Sequence, residues 1–372
     1  MAEKPKNSKK PKDGAFLQQR LRAWQPIFTP KKTLPVFFVM GIIFTPIGGL
    51  LYWNTEKAQE IMINYTSCDE YTEPTYLAST LYKNSFDTPM EEPPTFFSSP
   101  TNTFLDPTWQ NPQNLTINQC IIDFTIPEDM KGPIFLYYRL TNFYQNRRQY
   151  IKSYDLDQLQ GKAVVSNECE YLVKSSDGKL IYPCGLIANS MFNDTTSNLT
   201  SVKRTDTSYG FTTSGIAWPT DLEKYKPTQY QTSQIAPPPN WSLRYPNGQY
   251  TDEYPPPDVA SMERLMVWMH VAALPDFRKL WARNNEDSLV SDRWRIRIDS
   301  RGTKWLVISN STSLGGRNFN MAISYIAIGG ISIFLGLFFS LYQLISPRKL
   351  GDESFLSWNQ PGGGLPKQKK IM

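Results

Sequence analysis

The chain has 372 residues, a net charge of +5 and a mean hydropathy of −0.43. The charge is divided unevenly, because residues 1–33 and 346–372 together hold 14 basic and four acidic side chains, whereas residues 54–320 hold 25 basic and 30 acidic ones. This division excludes a nucleic-acid footprint and places the basic excess beside a membrane, where each Lys or Arg near anionic lipid contributes about 1 kcal/mol. The basic residues serve either as simple topology anchors or in lipid recognition.

Two long uncharged runs predict two transmembrane helices. Residues 34–53 read LPVFFVMGIIFTPIGGLLYW, and residues 321–345 form a second run without a charge. Twenty helical residues span about 30 Å, the thickness of the hydrocarbon core. No small-residue cleavage site follows the first run, so we interpret it as a retained signal anchor. Basic residues flank both runs on their outer sides, so the positive-inside rule predicts cytosolic tails (1–33 and 346–372) and a lumenal or extracellular segment 54–320.

The N-terminal tail contains a predicted short amphipathic helix. Asp13 is suited to cap it, Pro26 to end it, and Phe16, Leu21 and Trp24 lie on one side. Such a helix either lies in the membrane interface or docks on the cytosolic face of a partner.

Small residues recur at four-residue spacing in both predicted spans, at Gly41, Thr45 and Gly49 and at Ser332, Gly336 and Ser340. Ridges of this kind let helices approach closely in lipid. They indicate either that the two spans pack on each other or that they form a docking surface for another membrane protein. Neither span contains an ionisable residue, so two such helices cannot form a pump or coupled transporter alone.

The segment between the spans is predicted to be mainly β. Residues 122–126, 133–143, 294–300 and 303–309 are rich in β-branched and aromatic residues. One clear helix is predicted over about 259–273, and the Pro-rich residues 71–116 and 237–257 read as loops. The simplest architecture is a single antiparallel β-sandwich with long insertions.

Cysteines and glycosylation sequons are confined to this middle segment. With four cysteines three pairings are possible, and we favour the sequentially nearest, Cys68 with Cys120 and Cys169 with Cys184. Six N-x-S/T sequons on one predicted side of the membrane indicate a glycosylated domain, at Asn64, Asn114, Asn193, Asn198, Asn240 and Asn310. Asn64 and Asn310 lie about 10 residues from a span and are the least favoured for modification.

Catalytic patterns are weak, so we predict a protein that is not an enzyme and needs no metal or cofactor. The chain has one histidine, His270, which cannot form a metal site with cysteines that are oxidised. There is no phosphate loop, no GxGxxG motif and no nucleophile elbow. No arrangement singles out a pair of carboxylates for glycoside hydrolysis.

The sequence resembles the accessory (β) subunits of type IV P-type ATPases, the phospholipid flippases, also known as the cell-division-control/ligand-effect-modulator family. The resemblance covers nearly the whole chain in family order. It is carried by AFLQQRLRAWQPIFTP (15–30), IFTPIGG (43–49), IYPCGLIANSMFNDT (181–195), APPPNW (236–241), YPNGQYTDE (245–253), VWMHVAALPDF (267–277) and LGGRN (314–318). The wording of these motifs resembles that of fungal members.

The resemblance implies two transmembrane helices and a glycosylated β-sandwich ectodomain with the disulfide pairing favoured above. It also implies a heterodimer with a catalytic ATPase chain that moves phospholipids to the cytosolic leaflet. The accessory subunit would allow that chain to leave the endoplasmic reticulum and would support its phosphorylation cycle in the Golgi, endosomes or plasma membrane. The family's glycosylation site falls on Asn193.

Two departures from the family pattern are visible. His270 stands where relatives commonly have Arg, which makes a partner contact through that cation weaker or dependent on pH, and residues 71–116 match no motif of the family. The competing interpretation is a two-pass cell-surface receptor or adhesion glycoprotein, which would reach the cell surface without any ATPase. A third is an ectoenzyme active as the isolated fragment 54–320.

Overall fold

The computed structural model describes residues 14–16, 19–21, 29–106, 111–163, 169–204, 206–299, 304–312 and 316–347. In chain order its helices are α1 (Pro30–Glu56), α2 (Arg148–Ile151), α3 (Leu156–Leu159), α4 (Gly185–Asn189), α5 (Pro219–Lys224), α6 (Glu263–Met269) and α7 (Phe319–Ile345). Its strands are β1 (Glu60–Asn64), β2 (Thr75–Tyr76), β3 (Tyr82–Asn84), β4 (Thr95–Thr101), β5 (Ile117–Ile126), β6 (Ile134–Leu140), β7 (Leu180–Ile181), β8 (Thr195–Thr196), β9 (Leu199–Ser201), β10 (Ser208–Tyr209), β11 (Ile235–Ala236), β12 (Phe277–Asn284), β13 (Asp292–Asp299) and β14 (Trp305–Asn310).

The chain divides into two compact units, residues 1–52 with 320–372 and residues 53–319. Each of the long helices α1 and α7 has 27 residues, and both are long and apolar enough to cross a membrane. The two predicted spans are therefore confirmed as apolar helices. Helix α1 begins and ends outside the uncharged run, because Lys31, Lys32 and Glu56 are good helix formers that continue its backbone.

The second unit, which we call the β-domain, contains two antiparallel sheets among the described residues. The first has the strand order β12-β6-β14-β1-β3, and the second has the order β10-β9-β13-β5-β4-β2 with β8 also paired to β13. Strands β5 and β13 pair from Gln119 with Asp299 to Ile126 with Asp292. Because the side chains of a strand alternate between its two faces, the WRIRI run in β13 buries its apolar residues and turns its arginines outward.

One hydrophobic core joins both sheets and confirms the predicted β-sandwich. Ile61 and Leu136 of the first sheet belong to the same buried cluster as Phe124 and Trp294 of the second. A second cluster, which includes Tyr182, Trp241 and Met266, is formed mainly by residues of the segment 180–266. The insertions therefore have a core of their own and are not simple surface loops.

The structure corrects three local expectations. Helix α6 is only seven residues long because the chain leaves helical geometry at His270, so Val259 and Ala273 lie outside it. The Pro-rich segment 71–116 contributes β4, where Pro100 is accommodated near the end of the strand. The predicted N-terminal helix is absent from the residues described there, since Gln19 has a φ of 54° and Ala15 and Phe16 form a turn.

The favoured cysteine pairing is present in the structure. One disulfide joins Cys68, which follows β1, to Cys120 in β5. The other joins Cys169 to Cys184, the residue that precedes α4. Each bridge therefore fastens an insertion to a regular element of the β-domain.

Candidate partner-binding surfaces

The small residues of α1 and α7 lie mainly where these two helices contact each other. A Cβ atom added to Gly41 would lie 3.3 Å from the Gly329 carbonyl oxygen, and one added to Gly336 would lie 3.2 Å from the Phe38 ring. The rings of Phe44 and Tyr325 also meet, with centroids 5.3 Å apart. This close approach is what small residues at four-residue spacing permit.

The predicted ridge residues therefore separate into two groups. Gly41, Thr45, Ser332 and Gly336 belong to the contact between the two helices, which supports the interpretation that the spans pack on each other. Gly49 has open space where its side chain would be, and Ser340 is half-buried. Sequence reasoning missed Gly48 and Gly329, which lie in the same contact one residue away from the chosen spacing.

Of the three apolar residues proposed for the N-terminal tail, Phe16 and Leu21 are exposed, and Trp24 lies outside the described residues. Phe16 is 76% exposed, so the residues that the structure describes do not bury it. A contact between this tail and a membrane or partner stays a prediction.

The β-domain carries one exposed apolar surface beside a cleft, which we call the Trp218 surface. Its exposed large side chains are Ile151, Tyr154, Leu156, Trp218 and Leu222. The cleft has a volume of about 360 Å³, and Ile151, Tyr154 and Leu156 line it together with Val271. Trp218 is 64% exposed and immediately precedes α5, so that Leu222 follows it one helical turn later. Contiguous exposed apolar residues on a folded domain mark an interaction site more often than isolated ones do.

His270 forms part of the wall of this cleft. Its Nε2 lies 2.6 Å from Oδ2 of Asp221, a carboxylate that is almost buried. The Trp218 ring covers the imidazole with its centroid 4.4 Å away. The single histidine of the chain is therefore a positioning element that connects α5 to the end of α6 beneath the exposed tryptophan.

Glu263 fixes the backbone that leads to Trp218. Its carboxylate accepts hydrogen bonds from the backbone N–H of Gly215 at 2.8 Å and of Ala217 at 2.9 Å. Burial alone would raise the pKa of Glu263, but these backbone donors and the Ser214 hydroxyl lower it below its usual value. Glu263, the first residue of α6, thus fixes the backbone that precedes α5. No sequence pattern predicted this contact.

Lys279 of β12 holds the other end of α6. Its Nζ donates to the carbonyl oxygens of Trp268 at 2.7 Å and His270 at 2.5 Å. The carbonyl groups at the C-terminal end of a helix have no N–H partner within the helix, so a cation that binds them stabilises the helix end. Burial lowers the pKa of Lys279 to about 7, while its carbonyl acceptors favour the charged ammonium. Lys279 therefore fixes the backbone of His270 through its carbonyl group.

Exposed cations border the Trp218 surface. Arg147 and Arg148 lie one turn before Ile151 at α2, and Lys152 follows it. Lys224, the last residue of α5, lines the cleft and lies 3.9 Å from Asp221. Glu170 lies 3.8 Å from Lys152, so part of this charge is balanced. A basic border is unusual here because residues 54–320 carry a net negative charge.

The six sequon asparagines occupy different environments. Asn310 is 9% exposed and its side chain makes two hydrogen bonds with Gln59, so it offers the least room for a glycan. Asn64 accepts a hydrogen bond from the Thr66 N–H and is half-buried. The remaining four are exposed or half-buried, namely Asn114, Asn193, Asn198 and Asn240. Glycosylation at these positions stays a prediction.

A model of the LEM3 (ligand-effect modulator 3) family / CDC50 family matches residues 51–349 of the chain. The chain is 38% identical to the phospholipid-transporting ATPase accessory subunit CDC50 of Chaetomium thermophilum over 96% of this chain and 92% of that protein. It is 39% identical to the phospholipid-transporting ATPase accessory subunit CRF1 of Saccharomyces cerevisiae, over 94% and 89% of the two chains. It is 35% identical to the bovine cell cycle control protein 50A, over 89% and 88%.

Proposed function

The chain belongs to the LEM3/CDC50 family, and from that premise we propose that it is the non-catalytic accessory subunit of a phospholipid-transporting P-type ATPase. The observation that carries the proposal is the similarity to relatives named as such subunits, which extends over both apolar helices and the β-domain. Because neither apolar helix contains a charged residue in its central part, transport of lipid requires a second, catalytic chain.

We propose that both tails are cytosolic and that the β-domain is lumenal or extracellular. The basic flanks of the two helices support this orientation. The two disulfides support it as well, because such bonds persist in oxidising compartments. The compartments in which we expect the complex are the endoplasmic reticulum, from which it departs, and the Golgi, endosomes or plasma membrane.

We further propose that the subunit stabilises the catalytic chain, accompanies it out of the endoplasmic reticulum and supports its phosphorylation cycle. A non-catalytic chain can do this by binding one state of its partner more tightly than the others, which shifts the equilibrium toward that state. The result would be sustained phospholipid transport toward the cytosolic leaflet.

The Trp218 surface is our candidate for the contact with the non-cytosolic loops of the ATPase. It combines a cleft, an exposed tryptophan and a basic border, so a partner segment with a bulky apolar side chain and neighbouring carboxylates fits it. Tryptophan is among the residue types that most often dominate interface energies. The side chains Glu263 and Lys279 fix the backbone on both sides of the cleft, which lowers the cost of ordering it on binding.

The decisive experiment is purification of the C-terminally tagged full chain from native membranes in mild detergent, followed by identification of bound proteins. We expect a P-type ATPase in an equimolar amount and lipid-stimulated ATP hydrolysis in the purified complex. A glycoprotein that is purified alone, and that reaches the cell surface normally in cells without any such ATPase, would refute the proposal and favour the receptor interpretation. ATP hydrolysis by the chain alone would also refute it.

A further inference from the structure

A second cleft of the β-domain, which we call the Arg264 cleft, lies at the beginning of α6. It has a volume of about 540 Å³, and the residues of its wall include Asp106, Arg244, Ser261, Met262, Glu263 and Arg264. The cleft of the Trp218 surface is lined instead by Met269 and His270, at the other end of the same helix. Because α6 has seven residues, the two clefts are separated by about 10 Å along its axis.

Two guanidinium groups meet at one buried carboxylate in this cleft. Nη1 of Arg244 lies 3.6 Å and Nη2 of Arg264 lies 3.8 Å from the same oxygen, Oδ2 of Asp106. Asp106 is 4% exposed. Both distances are within ion-pair range but too long for a hydrogen bond. At this point of the cleft, one negative charge therefore faces two positive charges.

Arg264 offers hydrogen-bond donors that the described residues do not use. A guanidinium has five N–H groups, and that of Arg264 makes no hydrogen bond to the part of the chain that the structure describes. Its side chain is 25% exposed, and the Trp281 ring covers it with the centroid 5.2 Å from Cζ. Burial lowers the pKa of Arg264, an effect that Asp106 opposes and Arg244 reinforces. A further anion beside Arg264 would therefore stabilise its charge.

The surroundings of Arg264 favour a single carboxylate that is flanked by cations. Glu253 and Asp258 are exposed carboxylates in the wall of the cleft, and they repel a doubly charged phosphate more strongly than a singly charged carboxylate. The same two groups attract basic side chains on either side of that carboxylate. Glu263 is already engaged by backbone N–H groups, and the prolines 255–257 supply apolar surface for the CH₂ groups of an acidic side chain. A protein segment with Asp or Glu between Lys or Arg residues thus fits the cleft.

We propose that the Arg264 cleft binds the carboxylate of an aspartate or glutamate in a non-cytosolic loop of the catalytic chain, with Arg264 as the main donor and Arg244 beside it. This inference rests on the accessory-subunit function proposed above. It adds a contact of defined charge at the other end of α6 from the Trp218 surface. A catalytic chain that lacks the carboxylate would leave Arg264 partly buried without its anion, a cost that disfavours the wrong partner. The cleft therefore contributes to the choice between catalytic chains.

The first test uses the full chain produced together with its catalytic chain and purified in mild detergent. For Arg264→Gln, which removes the charge, we expect association with the ATPase to weaken by about tenfold. Arg264→Lys keeps the charge but loses the planar fork, so it should restore part of the association.

The matched control is Arg139→Gln, on the first sheet and outside the cleft. Arg139 resembles Arg264 in its surroundings, because its side chain is 27% exposed, lies 5.6 Å from the centroid of the Trp305 ring and pairs with Asp276. Its replacement should leave association unchanged. The comparison separates the loss of an arginine in the cleft from the loss of any partly buried arginine.

Ser261→Glu tests the cleft without removing a buried group. Ser261 is exposed in the wall of the cleft, so this variant should melt like the unmodified subunit. Its carboxylate would occupy Arg264 within the chain and should weaken association as Arg264→Gln does. Ser288→Glu, in the exposed turn between β12 and β13, is the control and should associate normally. This pair of variants decides the question if Arg264→Gln unfolds the β-domain.

The carboxylate of the catalytic chain can be identified by photo-crosslinking. With p-benzoylphenylalanine in place of Ser261, irradiation of the complex should capture a peptide of the catalytic chain that contains Asp or Glu beside basic residues. Replacing that acidic residue by Lys should weaken association with the unmodified subunit. The same replacement should restore association with the Arg264→Glu variant, because the two charges are then exchanged.

Several results would overturn the inference. They are undiminished association of Arg264→Gln and Ser261→Glu, equal losses in Arg264→Gln and Arg139→Gln, a captured peptide without an acidic residue, and charge exchange without rescue. Inorganic phosphate that raises the melting temperature of the unmodified subunit but not of Arg264→Gln would assign the cleft to a phosphate ligand instead. In all these cases the ATPase still co-purifies with the unmodified chain, so the accessory-subunit proposal would stand. An unmodified chain that binds no ATPase would contradict both.

Discussion

Exposed apolar side chains have different meanings in the two units of this protein. On α1 and α7 they are the normal outer surface of membrane helices, and the informative residues are the small ones where the helices touch. On the β-domain the surroundings are water, so an exposed Trp218 that packs on His270, a residue in the wall of a cleft, requires another explanation. An exposed apolar side chain is thus expected on the membrane helices, whereas on the β-domain it indicates a possible function.

The two units also differ in whether these residues make contacts within the chain. The small residues of the helices are used within the chain, since Gly41 and Gly336 face the opposite helix at close range. Among the residues that the structure describes, none covers Trp218, which stays 64% exposed, although Glu263 and His270 hold its surroundings in place. We therefore place the partner contact on the β-domain and regard the glycine contacts as requirements for folding.

The largest effect is expected from closing the space between the two helices. Leucine at Gly336 would place its Cβ 3.2 Å from the Phe38 ring, and its remaining atoms would force the helices apart. Overpacking of this kind costs about 1–3 kcal/mol and more where backbone must move. We expect Gly336→Leu and Gly41→Leu to lower the melting temperature of the purified subunit in detergent.

Gly49→Leu is the matched control, because nothing lies within 4 Å of its Cβ position. We expect this variant to melt like the unmodified subunit. Equal destabilisation by all three leucines would contradict the assignment of Gly41 and Gly336 to the helix contact. Loss of the ATPase with an unchanged melting temperature in Gly49→Leu alone would show that the outer face of α1 is also a partner contact.

The second effect concerns binding without folding. Trp218→Ala removes the most exposed large side chain of the Trp218 surface and should weaken association with the ATPase by about 30-fold, or about 2 kcal/mol for an interface hot spot. The melting temperature of the subunit should change little, because the indole is mainly exposed. Quantitative co-purification and thermal unfolding measure the two quantities separately.

The control for Trp218→Ala is Tyr76→Ala, which removes an aromatic residue of similar exposure at an edge strand away from the cleft. Undiminished association of Trp218→Ala, or equal loss in both variants, would show that the Trp218 surface is not the contact.

The sequence predicted the framework well for identifiable reasons. A run of 20 uncharged residues has few alternatives to a membrane helix, and alternation in residues 294–298 specifies a half-buried strand. The cysteine pairing followed from proximity in sequence. Each of these features depends on residues that are close together in the sequence, so one amino-acid sequence is sufficient to predict them.

The partner surface could not be read in the same way. Trp218, Ile151 and His270 come from three distant segments. Only the folded β-domain brings Ile151 and His270 to one cleft and packs Trp218 on His270. The predicted helix 259–273 also extended too far at its C-terminal end, because the chain leaves helical geometry at His270, whose carbonyl accepts from Lys279. Tertiary hydrogen bonds of this kind override a regular spacing of methionines.

A smaller effect is expected at His270. In His270→Ala the nearly buried Asp221 would lose its 2.6 Å partner, and its remaining ion-pair partner among the described residues would be Lys224 at 3.9 Å. Loss of one charge-assisted hydrogen bond at a partly exposed site should cost about 1 kcal/mol in the free energy of unfolding. His270→Arg keeps a donor for Asp221 and should restore that stability; failure of Arg to do so would mean that the imidazole matters for its packing under Trp218.

The smallest effect is a dependence on pH through Glu263. Its pKa is lower in the folded chain than in the unfolded one, so the stability it contributes is present above its unfolded pKa, which is about 4.3. That stability is lost as the pH falls through the lower folded value, because protonation removes the negative charge and turns one of the two oxygens that accept from the Gly215 and Ala217 N–H groups into a hydroxyl. Glu263→Gln should lower the free energy of unfolding at pH 6 by about 1 kcal/mol. Between pH 5 and pH 3 the unmodified chain should lose stability more steeply than the variant, as thermal unfolding would measure. Parallel curves would show that Glu263 holds the approach to Trp218 by geometry alone and not by its charge.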